Sequence, residues 1–284
     1  MARRGAGVLV LVLLGLAGYG LSRPQLPGEV ALGPTLAAVA ERQVLRVGVR
    51  SYPRPSATDA ALEAVPDEFD QALAQALGQY LGVPVVLLGA SADDPGRLLR
   101  EARVDLLIAG SLALPGAATG PVFGHAALSQ PPAGYRQGGL LVLRNRSLPA
   151  AGSLAGQSVC LAVGSPWRAD VVERGARVQP YASSIRAAVA FMSGECSLLA
   201  DEQSALKVLQ SQDDWRFYRL LPDSLAAAED ASIYLPRQDP QSQKFLQAAL
   251  ADWKRRGGQE QAWALRSSTL IVDSLKLAEG LMCH

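Results

Sequence analysis

Short, unbroken runs of apolar and β-branched residues alternate along this chain with stretches of helical periodicity, and the alternation occurs twice. "VLRVGV" (44–49) reads as a strand that ends in a loop at the breakers Pro53 and Pro55. "PDEFDQALAQALGQYLGVP" follows, where Phe69, Leu73, Ala76, Leu77, Tyr80 and Leu81 recur at helical spacing. Asp67 is placed to cap the start of that helix and Gly82 its end. "VPVVLL" (83–88), the helical "DDPGRLLREAR" and "VDLLIAG" (104–110) complete the first unit. The second runs through "SVCLAVG" (158–164), "SPWRADVVERG", "ARVQPYA", "SSIRAAVAFMSGE", "CSLLAD" (196–201) and "EQSALKVLQ". Strands that are apolar on both faces, separated by helices, predict parallel sheets covered on both sides.

Two further strand-like stretches join the units. "YRQGGLLVLRN" (135–145) lies between them, and "ASIYLPR" (231–237) follows the second. The long helical "DPQSQKFLQAALADWKRRGG" comes next, with a shorter helix through Trp263. The order predicts an α/β chain of two lobes, each a mostly parallel sheet flanked by helices, with a two-strand hinge. The closing helices return to the first lobe. The expected division is a targeting segment at 1–22, a linker at 23–43, lobe 1 at 44–136 plus 232–284, and lobe 2 at 137–231. Ligands of such sheets bind beyond the carboxyl ends of the strands. The loops after Ala109, Ala162 and Ala200 should therefore face one crevice.

Arg3 and Arg4 precede an apolar stretch, and from Gly5 to Ser22 the chain is uncharged, about the lower limit of a membrane-spanning length. Read this way, the segment is a cleaved secretory signal or a retained inner-membrane anchor, and both place the rest in the periplasm. With a net charge of +1 over 284 residues and no block of like charge, nothing suggests a nucleic-acid partner. The two histidines, His125 and His284, and three cysteines form no zinc-spaced cluster, so no metal or other cofactor is expected. Export permits disulfides. Cys160 and Cys196 would nevertheless stand level on neighbouring strands, too far apart for an easy bridge, and buried free thiols are the expectation.

The blocks "LRVGV…P…EFDQALAQALGQYLGVPV", "EARVDLLIAG", "CLAVGS", "CSLLADEQSAL" and "DPQSQKFLQAALADWKRRGGQEQAW" resemble, in order and spacing, the family 3 periplasmic solute-binding proteins, the amino-acid receptors of ABC importers. "YLGV" and "DLLIAG" are also similar to the receptor-like half of membrane-bound lytic transglycosylases. The first resemblance implies a periplasmic-binding-protein fold of type II character and a clamp closing on a small solute. It implies that Asp201 takes a ligand ammonium and that Ser165 sits in a Gly-Ser turn binding an anion. Tyr52 would wall the cleft, and Ser111 and Ser183 would contribute from neighbouring loops. The family's carboxylate clamp, a Thr and an Arg in the loop after "DLLIAG", is replaced by Leu114 and Ala117. That removes a bidentate guanidinium, for which Arg50 or Arg54 could substitute.

Each of these residues also has a structural reading. Asp201 and Ser165 suit helix capping, and Trp167 suits packing between the lobes rather than walling the cleft. No G-x-S-x-G elbow or catalytic carboxylate pair is present, and a transglycosylase would need a further domain carrying a general-acid Glu. The tail "SSTLIVDSLKLAEGLMCH" has room for at most one helix, so no enzyme activity is expected. Two functions remain open: a monomeric receptor closing on an amino-acid-like or cationic solute for an ABC transporter or sensor, and a membrane-tethered interaction module with a degenerate cleft.

Overall fold

The computed structural model describes residues 25–54, 63–90, 96–108, 124–127, 137–146, 152–163, 165, 167–226, 232–266 and 268–269. Two sheets are formed, each with helices on both faces. The first contains β1 (Leu45–Arg54), β2 (Glu63–Pro66), β3 (Val85–Ala90), β4 (Leu106–Ile108), β5 (Gly124–Ala127) and, from late in the chain, the strand Ser232–Leu235. The second contains β6 (Gly138–Leu143), β7 (Ser158–Ala162), β8 (Arg177–Tyr181), β9 (Leu198–Glu202) and β10 (Tyr218–Leu220), so Ser232–Leu235 is β11. The first sheet has the order β2-β1-β4-β11-β5, with β3 also on β1; the second has the order β10-β6-β9-β7-β8.

Within the first sheet β1 runs parallel to β3 and β4, while β11 is antiparallel to β4 and β5. In the second, β7 runs parallel to β8 and β9, and β6 is antiparallel to β9. β11, the last strand of the first sheet, and β6, the first of the second, therefore each run antiparallel to both of their neighbours.

The helices form where apolar residues recur at helical spacing, and three of them open on a capping side chain. In chain order the helices are α1 (Pro34–Arg42), α2 (Glu68–Leu81), the single turn α3 (Arg97–Arg100), α4 (Arg168–Glu173), α5 (Ser184–Met192), α6 (Gln203–Gln210) and α7 (Pro240–Arg255), with a further helical stretch at 258–266. As the sequence predicts, the Asp67 carboxylate accepts the Phe69 and Asp70 amides at 3.0 and 3.3 Å, and Gly82 ends α2 at φ 68°.

The unbroken apolar strands divide between two cores. Leu106 and Ile108 face α2 and α7 beside Phe69, Leu246 and Trp253, whereas Leu107 faces α3 beside Leu98 and Leu99. In the second sheet Leu141 and Leu199 point toward α5 and α6, and Leu140, Val142 and Leu198 toward α4. Burial of both faces explains why no polar alternation marks these strands.

The closing helix returns to the first sheet. Phe245, Leu246, Ala249 and Leu250 of α7 share a core with Val47, Val49 and Leu73. One carboxylate joins α1 and α7. Asp239 accepts the Thr35 amide at 2.8 Å, the Ser242 amide at 3.0 Å and the Ser242 hydroxyl at 2.7 Å. Gly33 is required beside this cap, because a Cβ there would overlap the Asp239 carboxylate and the Ser242 amide.

Two sequence expectations are corrected. The stretch after "VLRVGV" is not a loop, since β1 continues to Arg54 and pairs with β2 from Ser51 to Arg54. Pro53 is tolerated because the parallel partners β3 and β4 have ended by Arg50, leaving that end of the strand in a two-stranded arm. Cys160 and Cys196 are not free thiols but form a disulfide, with Cα atoms 5.6 Å apart. Cys160 pairs in register with Leu199, while Cys196 precedes β9 and follows the turn at Gly194 (φ 81°). Cys196 thus stands three residues from the position level with Cys160, and the separation of their Cα atoms lies within the range a bridge spans.

Candidate ligand site

The carboxyl ends of β1, β4, β7 and β9 are where a ligand of this architecture would be met. The loop after β4, which holds Ser111, Leu114 and Ala117, lies outside the described residues. Tyr52 pairs with Val65 in the β1–β2 arm, and the side chains of Tyr52 and Arg54 lie outside the described set, as does that of His125 on β5.

At the carboxyl end of β9, Asp201 lies opposite Gly139 of β6 and Glu202 opposite Gly138. Asp201 is only 4% exposed, and its Oδ1 accepts the Glu202 amide at 2.7 Å. Among the described residues no cation pairs with it. The capping role open to Asp201 is not the one it plays: α6 starts at Gln203 with Glu202 at the N-cap position, where neither carboxylate caps the helix amides. Burying an ionised carboxylate costs several kcal/mol unless hydrogen bonds or a counter-charge offset it. A single adjacent amide offsets only part of that.

Glu202, also buried, is a carboxylate that reading the sequence passed over; its Oε1 accepts the Ser204 hydroxyl. The signal was the adjacent "DE" closing an apolar strand, which placed a second acid at the same strand end.

Beyond β7 the chain turns at Ser165. Its amide donates to Ala162 at 3.0 Å, and its Oγ accepts the Trp167 amide at 3.4 Å. The hydroxyl thus helps close the turn. Trp167 packs with Leu140, Val171 and Ala200 in the core of its own sheet, rather than between lobes as the sequence suggested. Its ring lies directly on Gly138, where any Cβ would overlap the indole, and its indole N–H has no partner among the described residues. Ser183 is fully buried and caps α5, accepting the Arg186 amide at 3.2 Å. Of the residues singled out, the fold brings Ser165 and Asp201 to neighbouring strand ends, because β7 pairs with β9.

Arg50 does not act as the replacement clamp. Its guanidinium grips Asp70 through two bonds of 2.9 and 2.6 Å and reaches Asp67 at 3.4 Å, while Arg266 bonds Asp67 from the other side at 2.9 Å. Burial works against ionisation of Asp67, but the two arginines and the helix amide hold it below the usual carboxylate range. Burial pushes Asp70 up to about 6 despite Arg50. The cluster ties the last helix to β1 and α2. Among the described residues no group of three or more His, Cys, Asp or Glu is arranged to hold a metal ion.

Solved structures share this fold. An amino-acid ABC transporter substrate-binding protein from Streptococcus pneumoniae, bound to L-arginine, superposes with a TM-score of 0.61 at 15% identity, covering 83% of this chain and 99% of that one. The chain has the two-lobed fold of the amino-acid-binding proteins. An ancestral arginine-binding protein bound to glutamine gives a TM-score of 0.57 at 19% identity, covering 78% of this chain and 96% of that one. A solute receptor for L-cysteine of Neisseria gonorrhoeae gives 0.55 at 18% identity, covering 81% and 92%. No protein-family model and no curated protein sequence matches the chain. This binding-protein fold puts the ends of β7 and β9 in the second lobe, and among its described residues no helix is long and apolar enough to cross a membrane.

Proposed function

We propose that this protein is an exported solute receptor that closes its two lobes on a small polar ligand, amino-acid-like or cationic, and delivers it to an ABC transporter or sensor. The single observation carrying this reading is Asp201, a buried carboxylate at the end of β9 with one backbone amide and no cation among the described residues. A ligand ammonium would supply the missing counter-charge. Arg50 is committed to Asp70 and Asp67, which favours a ligand whose positive end dominates recognition. In this reading residues 5–22 carry the domain to the periplasm, the lobes divide near 137 and 231, and the working unit is a monomer.

The test is a thermal-shift screen against amino acids, polyamines, small peptides and muropeptides. A ligand at a hundred times its dissociation constant stabilises by about 2.7 kcal/mol, a rise of roughly 5–10 °C for a two-lobed chain unfolding as one unit. Asp201→Ala should abolish the shift while keeping its ligand-free melting temperature near the wild-type value. A shift that persists in Asp201→Ala would sink the site. Silence across the whole panel would favour the membrane-tethered interaction module.

A further inference from the structure

From the edge of the second sheet the geometry points to a further function: a face that docks on an anionic phospholipid surface. The face is built where β6 and β10 meet. Tyr218 pairs with Leu143 and Arg219 with Val142, so the end of β6 and the start of β10 lie side by side. The Arg144 amide donates to the Phe217 carbonyl at 2.8 Å, and its guanidinium to the Tyr218 carbonyl at 3.1 Å. Arg219 reaches the Arg146 carbonyl at 3.5 Å, and the Arg216 guanidinium lies over the Phe217 ring, 4.7 Å from its centre. Four arginines therefore converge from two segments that are far apart in sequence.

None of the four pairs with a carboxylate among the described residues, although the exposed Asp213 and Asp214 lie nearby. Phe217 is 58% exposed and Leu143 40% exposed in their midst. A charged residue on an edge strand guards against sheet-to-sheet pairing, which accounts for Arg219. It accounts neither for Arg144, Arg146 and Arg216 beyond the strand ends nor for an aromatic ring held out in water.

Guanidinium groups bind phosphates through paired N–H donors, and a phenyl ring among them can enter the headgroup layer. That combination suits a bilayer better than an acidic protein segment, which would leave Phe217 without an apolar counterpart. Residues 5–22, read as a targeting or anchoring segment, supply proximity to a membrane, but the face stands on its own geometry and does not depend on the ligand reading of Asp201.

Residue-resolved modification by phenylglyoxal tests the proposal. The full-length protein is presented with vesicles of phosphatidylcholine alone, or containing roughly a third phosphatidylglycerol, and each arginine's labelling rate is followed by mass spectrometry. Labelling of Arg144, Arg146, Arg216 and Arg219 should slow by roughly tenfold on the anionic vesicles and recover at high salt. Arg97 and Arg256, exposed elsewhere, should change by less than about twofold on the same vesicles. The comparison is internal to one chain, so it holds whether or not the N-terminal segment inserts. Phe217→Ser, which disturbs none of the hydrogen bonds named, should reduce the protection of all four. Equal labelling of the four on both kinds of vesicle, or protection indifferent to Phe217→Ser, would overturn the assignment.

Discussion

Removing the carboxylate of Asp239 should cost more than an exposed cap usually does, because two helices share it. In Asp239→Ala the Thr35 amide of α1 and the Ser242 amide and hydroxyl of α7 lose their acceptor, at sites that are buried. One cap contributes typically about 1 kcal/mol, so two give about 2 kcal/mol. The ionisation of the group supplies an independent figure. Burial alone would raise its pKa, but the Ser242 and Thr35 donors outweigh that and hold it at about 2. Relative to the ordinary 3.8, the shift is worth roughly 2 kcal/mol at 1.36 kcal/mol per unit. The two routes agree, and the orphaned donors extend the range to about 2–4 kcal/mol. Because the folded-state pKa is depressed, this stabilisation is complete above about pH 4 and lost as the pH falls toward 2. Urea unfolding at neutral pH and near pH 2 should show the wild type and Asp239→Ala differing at neutral pH and converging in acid. A difference below about 1 kcal/mol at neutral pH, or one unchanged in acid, would refute the reasoning.

Gly138→Ala should destabilise the protein by about 1–3 kcal/mol, since its methyl group must displace the Trp167 indole; chemical denaturation of the single variant measures this. Replacing Cys160 and Cys196 by Ser opens a link across a sequence separation of 36 residues, for which the chain-entropy estimate is roughly 3–4 kcal/mol. A reductant should lower the wild-type melting temperature and leave that of the double variant unchanged.

What could be read along the chain and what could not differ in kind. The helix starting at Asp67 and ending at Gly82 was legible because cap, periodicity and stop signal lie within one short segment. The central strands of both sheets were legible because burial on both faces leaves continuous apolar runs, whereas β5 and β10 carry no such run and were not read. The arm formed by β1 and β2 was not, because Pro53 marks a loop by every local rule and is admitted only where the sheet has narrowed to two strands. The site divides similarly. Asp201 closing an apolar strand could be picked out, whereas the commitment of Arg50 depends on Asp67 and Asp70 facing it from α2. The arginine face was invisible to a search for runs of like charge, since Arg144 and Arg219 become neighbours only through the pairing of β6 with β10.

By itself the sequence determined the alternation of strands and helices, the two-lobed order and the acid at the end of β9, all consequences of spacing within a few residues. Tertiary structure decided the disulfide, the engagement of Arg50 and the gathering of the edge arginines. Those depend on which strands lie side by side and in what register, and register is settled by burial across the whole sheet rather than by any one segment.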